Sequence, residues 1–168
     1  MKPNTQVPDL NLPLINDTEW TLKSQRPDAF TLLVFYRGLH CPVCKKQLQE
    51  VAEHLDKLVE RGVYVTAISM DTEKRAKKAG EEWNIPNLPV AYNLSQEQAK
   101  SYGLYLSKAI SDKEPEVFSE PGMFLIKPDG TLYFSSVQNA PFTRPAMSDL
   151  INAIDFIKKE DYPARGTY

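Results

Sequence analysis

The sequence predicts an α/β fold: a central mixed sheet with helices on both faces and a β-hairpin at the N-terminus. Three observations carry that prediction. Phe30-Thr-Leu-Leu-Val-Phe-Tyr36 is an unbroken β-prone run of the kind found in fully buried strands. Strand-like and helix-like segments alternate after it, which implies crossover connections and parallel pairing. A strand–turn–strand pattern around Pro128-Asp129-Gly130 closes the sheet with an antiparallel edge.

The elements follow in order. Val7 to Leu22 reads as a hairpin, with its turn at Asn16-Asp17 and Trp20 and Leu22 alternating with polar residues. Arg26-Pro27-Asp28 ends it, and the buried strand Phe30–Tyr36 follows, stopped by Gly38. After Cys41, the apolar residues Leu48, Val51, Leu55 and Leu58 recur at three- and four-residue spacing, which predicts a helix running to the neighbourhood of Gly62. Val63 to Met70 is a second strand. Asp71-Thr72 is placed to cap a helix running towards Trp83. Leu88 to Asn93 reads as a short strand and Gln96 to Tyr102 as a short helix. Leu104 to Val117 shows no period and reads as loop. Met123–Ile126 and Thr131–Phe134 form the closing hairpin. A last helix follows Thr143-Arg144-Pro145, with Met147, Leu150, Ile151, Ile154 and Ile157 on one face. The tail from Tyr162 reads as extended.

A chain of 168 residues with no linker, repeat or low-complexity tract is expected to be one domain, residues 1–168. Hydrophobic residues make up 42% and charged residues 25%, enough apolar material for a core without staples. Net charge is -2, and the basic residues are scattered, so neither nucleic acid nor an anionic membrane is an expected partner. Met1 to Asn16 has no basic stretch followed by an apolar one, so it does not read as a signal peptide, and a cytoplasmic location is expected. A homodimer is one of the assemblies the sequence allows.

The chemistry is carried by Cys41-Pro42-Val43-Cys44, the only two cysteines of the chain. They stand where a buried strand gives way to a helix. Cysteines at i and i+3 of a first helical turn share one side of it, so they can join without unwinding the helix. Pro42 suits the first helical position, which needs no N–H. Free backbone N–H groups and the positive end of the helix dipole then favour a thiolate. A lone CxxC can also be half of a zinc site. Such a site needs four ligands, and His40 and His54 are the only histidines, so zinc would require two chains or unusual ligands. No cofactor is expected. His40, beside the pair, could lower the Cys41 pKa if protonated, or could be a solvent-facing loop residue. Arg37 could hold a thiolate or substrate, or form a surface salt bridge.

Val34-Phe-Tyr-Arg-Gly-Leu-His-Cys-Pro-Val-Cys-Lys-Lys-Gln-Leu48 resembles the active-site segment of the peroxiredoxin-like branch of the alkyl hydroperoxide reductase and thiol-specific antioxidant family. The resemblance extends to Val7-Pro-Asp-Leu-Asn-Leu-Pro13, to Pro121-Gly-Met-Phe-Leu-Ile-Lys-Pro-Asp-Gly130 and to Tyr162-Pro-Ala-Arg-Gly166. It implies a thioredoxin-like fold and an antioxidant thiol enzyme. Matching the family's motif puts Cys44 at its peroxidatic cysteine. Arg37 then stands where the motif has proline, Cys41 where it has threonine, and Pro121 where the family has its catalytic arginine. Pro121 matches instead the proline that faces a CxxC pair in thioredoxins, which implies a cis Glu120–Pro121 bond. The buried aspartate of thioredoxins is replaced by Phe35.

Three functions compete. The first is thiol–disulfide exchange by Cys41 and Cys44 with slow peroxide reduction, supported by Pro121 and regenerated by a dithiol reductant such as a thioredoxin or glutathione system. The second is a thiol peroxidase with Cys44 as the peroxidatic residue. The third is a non-enzymatic redox sensor or metal-bridged dimer. Thioredoxin logic makes Cys41 the attacking sulfur because it stands at the helix mouth and is expected to be the more exposed.

Overall fold

The N-terminal hairpin consists of β1 (Asn11–Pro13) and β2 (Glu19–Thr21), antiparallel, in a computed structural model that describes residues 1–168. β3 (Phe30–Phe35) is buried at every position and lies at the centre of a five-stranded sheet. The helix after Cys41 comes in two pieces, α1 (Pro42–Glu53) and α2 (Leu55–Glu60), where the periodicity predicted one. The break is at His54. Its ring Nδ1 bonds the Glu50 carbonyl at 2.8 Å, while its backbone N–H donates to Val51 instead of reaching back a full α-turn.

β4 (Val63–Ile68) pairs in parallel with β3, and α3 (Glu73–Glu82) follows. Thr72 is the N-cap of α3 but makes no side-chain cap bond. β5 (Val90–Ala91) extends the parallel side, and α4 (Gln96–Ser101) opens with a Ser95/Gln98 capping box. The segment read as loop contains a small antiparallel hairpin, β6 (Leu106–Lys108) and β7 (Val117–Ser119). Strands of three residues leave too short a pattern to see, and this pair is held by ion pairs to a distant loop, described below. β8 (Gly122–Ile126) pairs antiparallel with β3, β9 (Leu132–Val137) forms the antiparallel edge, and α5 (Met147–Glu160) ends the regular structure.

The sheet order is β5-β4-β3-β8-β9. Strand alternation splits the core in two. Leu32 and Val34 of β3 face one layer with Cys44, Leu48 and Val51 of α1, Leu58 of α2, and Leu150 and Ile154 of α5. Leu33 and Phe35 face the other, with Leu12 and Trp20 of the hairpin and Ala99 of α4. Helices therefore cover both faces, as the sequence predicts. Fully burying one such leucine contributes about 1.5–3 kcal/mol, and Leu48 is wholly buried, so α1 is pinned to the sheet by the face it presents. No helix is long and apolar enough to cross a membrane.

Candidate active site

β3 and β4 run in parallel, so their C-terminal ends open on the same side of the sheet, and the loop Arg37–His40 leaves from there. Cys41 is the N-cap of α1 and Pro42 its first residue. The Cys44 backbone N–H donates to the Cys41 sulfur at 3.2 Å, so the sulfur takes the place of a capping oxygen. The two residues have Cα atoms 5.2 Å apart and are joined as a disulfide, as the i, i+3 placement predicts. Both are buried, at 1% exposure for Cys41 and 0% for Cys44, so neither sulfur stands open to solvent. Leu39 and Val43, on either side of Cys41 in the chain, are partly buried and pack against the core cluster that contains both cysteines.

The residue that sequence reasoning missed is Arg144. One terminal guanidinium nitrogen lies 3.2 Å from the Cys44 sulfur and 3.7 Å from the Cys41 sulfur. The other donates to Gln47 Oε1 at 2.6 Å, and Nε donates to the Pro141 carbonyl at 2.9 Å. Burial pushes the guanidinium down to about 10, the Arg37 charge adds to this, and Glu120 partly offsets it. The group therefore stays cationic at neutral pH. The sequence did hold a signal: Arg144 is the sole charged residue between Asp129 and Asp149. A lone charge in a long uncharged stretch, set between Pro141 and Pro145, is poorly explained by solubility. A cavity of about 260 Å³ adjoins it, lined by Val43, Gln47, Glu50, Thr143 and Arg144. Two larger cavities, about 370 Å³ each, lie elsewhere: one beside Thr31 and Ile126 at the opposite end of β3, the other between β9, α5 and the tail.

Residues 3–135 match the model of the AhpC/TSA family. The chain belongs to the AhpC/TSA family. It is thus a thiol oxidoreductase of the peroxiredoxin kind with a CxxC pair. Among solved structures it is similar to peroxidoxin BcpB of Mycobacterium tuberculosis, with a TM-score of 0.74 at 21% identity, covering 92% of this chain and 96% of that one. A cysteine variant of peroxiredoxin 6 from Arenicola marina superposes with a TM-score of 0.82 at 18% identity, covering 96% of this chain and 75% of that one. The yeast mitochondrial 1-Cys peroxiredoxin gives 0.79 at 13% identity, over 96% and 78%. These likenesses bear on the fold alone. No curated relative matches the chain by sequence.

In this AhpC/TSA protein the charged residues of the redox loop are engaged away from the sulfurs. Arg37 does not touch them. Its Nε lies 3.1 Å from Glu120 and a terminal nitrogen 3.6 Å from Glu114, with the guanidinium over the Phe118 ring at 4.7 Å. It is neither a surface salt bridge nor a sulfur ligand: it is mostly buried and ties the β6–β7 hairpin to the redox loop. Ser107 donates to the other Glu120 oxygen at 2.6 Å, which helps satisfy a carboxylate only 3% exposed. His40 is half-buried against Phe118, with ring centroids 4.7 Å apart. Burial lowers its pKa, and the Arg37 and Arg75 charges lower it further, so the protonated form expected to assist Cys41 is disfavoured.

Pro121 is buried one step beyond the Phe35–Gly122 pair, at the end of the sheet from which the redox loop leaves. Its peptide bond to Glu120 is trans, since the chain has no cis peptide, and this corrects the cis bond implied by the thioredoxin match. The backbone here is committed to strand pairing. Glu120 N–H donates to the Tyr105 carbonyl at 2.8 Å, and the Pro121 carbonyl accepts from Gln138 at 3.0 Å. The ordinary trans form serves both bonds.

Proposed function

We propose that the protein is a dithiol–disulfide oxidoreductase in which Cys41 attacks and Cys44 resolves. The observation that carries this reading is the Cys44 N–H donated to the Cys41 sulfur at the mouth of α1. An N-cap sulfur receives a backbone hydrogen bond and the positive helix end, both of which favour its thiolate. The Cys41 thiolate attacks one sulfur of a substrate disulfide, forming a mixed disulfide and releasing the other sulfur as a thiolate. The Cys44 thiolate then attacks the Cys41 sulfur and releases the second substrate thiolate. Two electrons pass to the substrate, and the Cys41–Cys44 disulfide remains. A dithiol reductant of the thioredoxin or glutathione class restores the pair. Because both cysteines are buried, local opening of the site must precede attack on a substrate disulfide. Pro121 belongs to this proposal only by its place at the sheet end from which the redox loop leaves.

A second reading is favoured by Arg144. A cation 3.2 Å from the Cys44 sulfur supplies one of the donors that a peroxidatic cysteine needs. Here the Cys44 thiolate attacks a peroxide oxygen, becoming a sulfenic acid as the alcohol or water departs. The Cys41 thiol then condenses with it, releasing water and forming the same disulfide. The other pocket positions differ from the family motif, so peroxide reduction is proposed as the slower activity.

Single Cys→Ser variants separate the two readings. Under the first, Cys41→Ser abolishes disulfide reduction and Cys44→Ser accumulates a mixed disulfide on Cys41. Stopped-flow oxidation by hydrogen peroxide is expected to be slow in both. Fast sulfenic acid formation on Cys44 in the Cys41→Ser protein would establish the peroxidase reading instead.

A further inference from the structure

The loop Arg37–His40, which delivers Cys41 to α1, is held by a carboxylate that the proposed chemistry does not use. Asp71 lies just past β4 and is 1% exposed. Its Oδ2 accepts the Leu39 backbone N–H at 2.7 Å, and its Oδ1 accepts from Arg75 Nε at 2.7 Å. A terminal nitrogen of Arg75 lies 3.3 Å from Nδ1 of His40. A guanidinium can only donate. In this contact Nδ1 is therefore the acceptor and carries no proton, and the proton of the neutral ring is on Nε2. That nitrogen is buried and has no protein partner.

The charges facing the ring are Arg37 from its own loop, Arg75 from α3, Asp71 from below and Glu114 from the connection between β6 and β7. Each carboxylate is already engaged by an arginine, Asp71 by Arg75 and Glu114 by Arg37. Neither is left free to stabilise an imidazolium.

We propose that Asp71 and Arg75 are positioning residues for the redox loop: through Arg75 they hold the His40 ring, one residue before Cys41, with its proton on an unpartnered Nε2 that is free to serve as a neutral N–H donor. The role assigned to that donor, a hydrogen bond to anionic sulfur at Cys41, rests on the thiol–disulfide reading above. The tautomer does not, and it can be measured without turnover.

The test is ring-nitrogen NMR of the reduced, full-length protein. His40 and His54 are its only histidines, so a His54→Gln sample assigns the signals. The expected wild-type result is a His40 ring protonated on Nε2 alone and staying neutral as pH falls through the ordinary histidine value of about 6.5. Arg75→Lys keeps the positive charge and can still pair with Asp71, but it has no second arm for His40. In that variant the titration midpoint of His40 is expected to move up towards the ordinary value. In a Cys44→Ser background, the pH profile of Cys41 alkylation is then expected to gain a second inflection at the same pH. Asp71→Asn should act in the same direction, and if it does not fold, Arg75→Lys carries the test alone. A wild-type His40 protonated on Nδ1 would overturn the proposal, as would a His40 titration that Arg75→Lys leaves unchanged. If the tautomer is as stated but Cys41→Ser still reduces disulfides, the functional reading fails and the positioning assignment stands.

Discussion

Arg144 places a guanidinium nitrogen 3.2 Å from the sulfur of Cys44, reaching it from a segment 100 residues further along the chain. When the pair is reduced, that contact becomes a charge-assisted hydrogen bond, a class that contributes about 1.5–3 kcal/mol. Arg144→Ala is therefore expected to raise the thiolate pKa of Cys44 by about one unit or more. Thiolate absorbance titration of the Cys41→Ser protein measures it. The same loss destabilises the reduced state, so the couple becomes more reducing, by about 30 mV per 1.4 kcal/mol. Equilibration with a glutathione buffer checks the sign.

Gly38 has φ +127°, and a Cβ there would sit 2.7 Å from Asp71 Oδ1. Neither the backbone nor the buried carboxylate can yield without breaking the Leu39 and Arg75 bonds. Gly38→Ala is expected to cost about 2 kcal/mol and to lower the rate of disulfide reduction. Denaturant unfolding with a parallel activity assay tests both, and an unchanged midpoint would show that the loop is not clamped.

Arg37 and Glu120 form a mostly buried ion pair, and removing one partner strands the other's charge. Arg37→Met is expected to destabilise the fold by about 3 kcal/mol or more. The double variant Arg37→Met/Glu120→Gln should lose less than the two single losses combined. Additive losses in a denaturant-based double-mutant cycle would count against coupling across the hairpin.

The pKa of His40 is lowered in the folded state, chiefly by burial and then by Arg37 and Arg75. Above the ordinary value near 6.5, neither the folded nor the unfolded chain protonates this residue, and it has no effect on stability. Below that pH, the unfolded chain binds a proton that the folded one refuses. Stability should therefore fall on acidification from about 6.5, and His40→Gln should remove that part of the slope. Urea midpoints measured across this range provide the comparison.

Thr143, a β-branched residue, has φ +55° immediately before Arg144. Left-handed backbone costs such a residue about 1–2 kcal/mol. Thr143→Gly should relieve part of that cost while loosening the placement of the guanidinium. A higher unfolding midpoint together with a raised Cys44 pKa would be the paired signature.

The sequence by itself determined the layers of this protein and the location of its chemistry. The run Phe30–Phe35 could only be a central strand because every position is apolar or β-branched, and helical spacing from Leu48 to Leu58 marked the face of the cysteine-bearing helix. Cys41, Pro42 and Cys44 were legible for the same reason: capping and i, i+3 geometry are local, set by residues within one turn. The tertiary structure decided what surrounds the sulfurs. Arg144 reaches them from beyond β9, Asp71 leaves the cap of α3 to hold a loop 32 residues upstream, and Arg37 spends its charge on a hairpin too short to show a period. Periodicity records which face of an element is buried, but not which distant charge is buried against it. Pairings of that kind are selected by the desolvation of a few polar groups once the core has formed, and they leave no repeat in the chain.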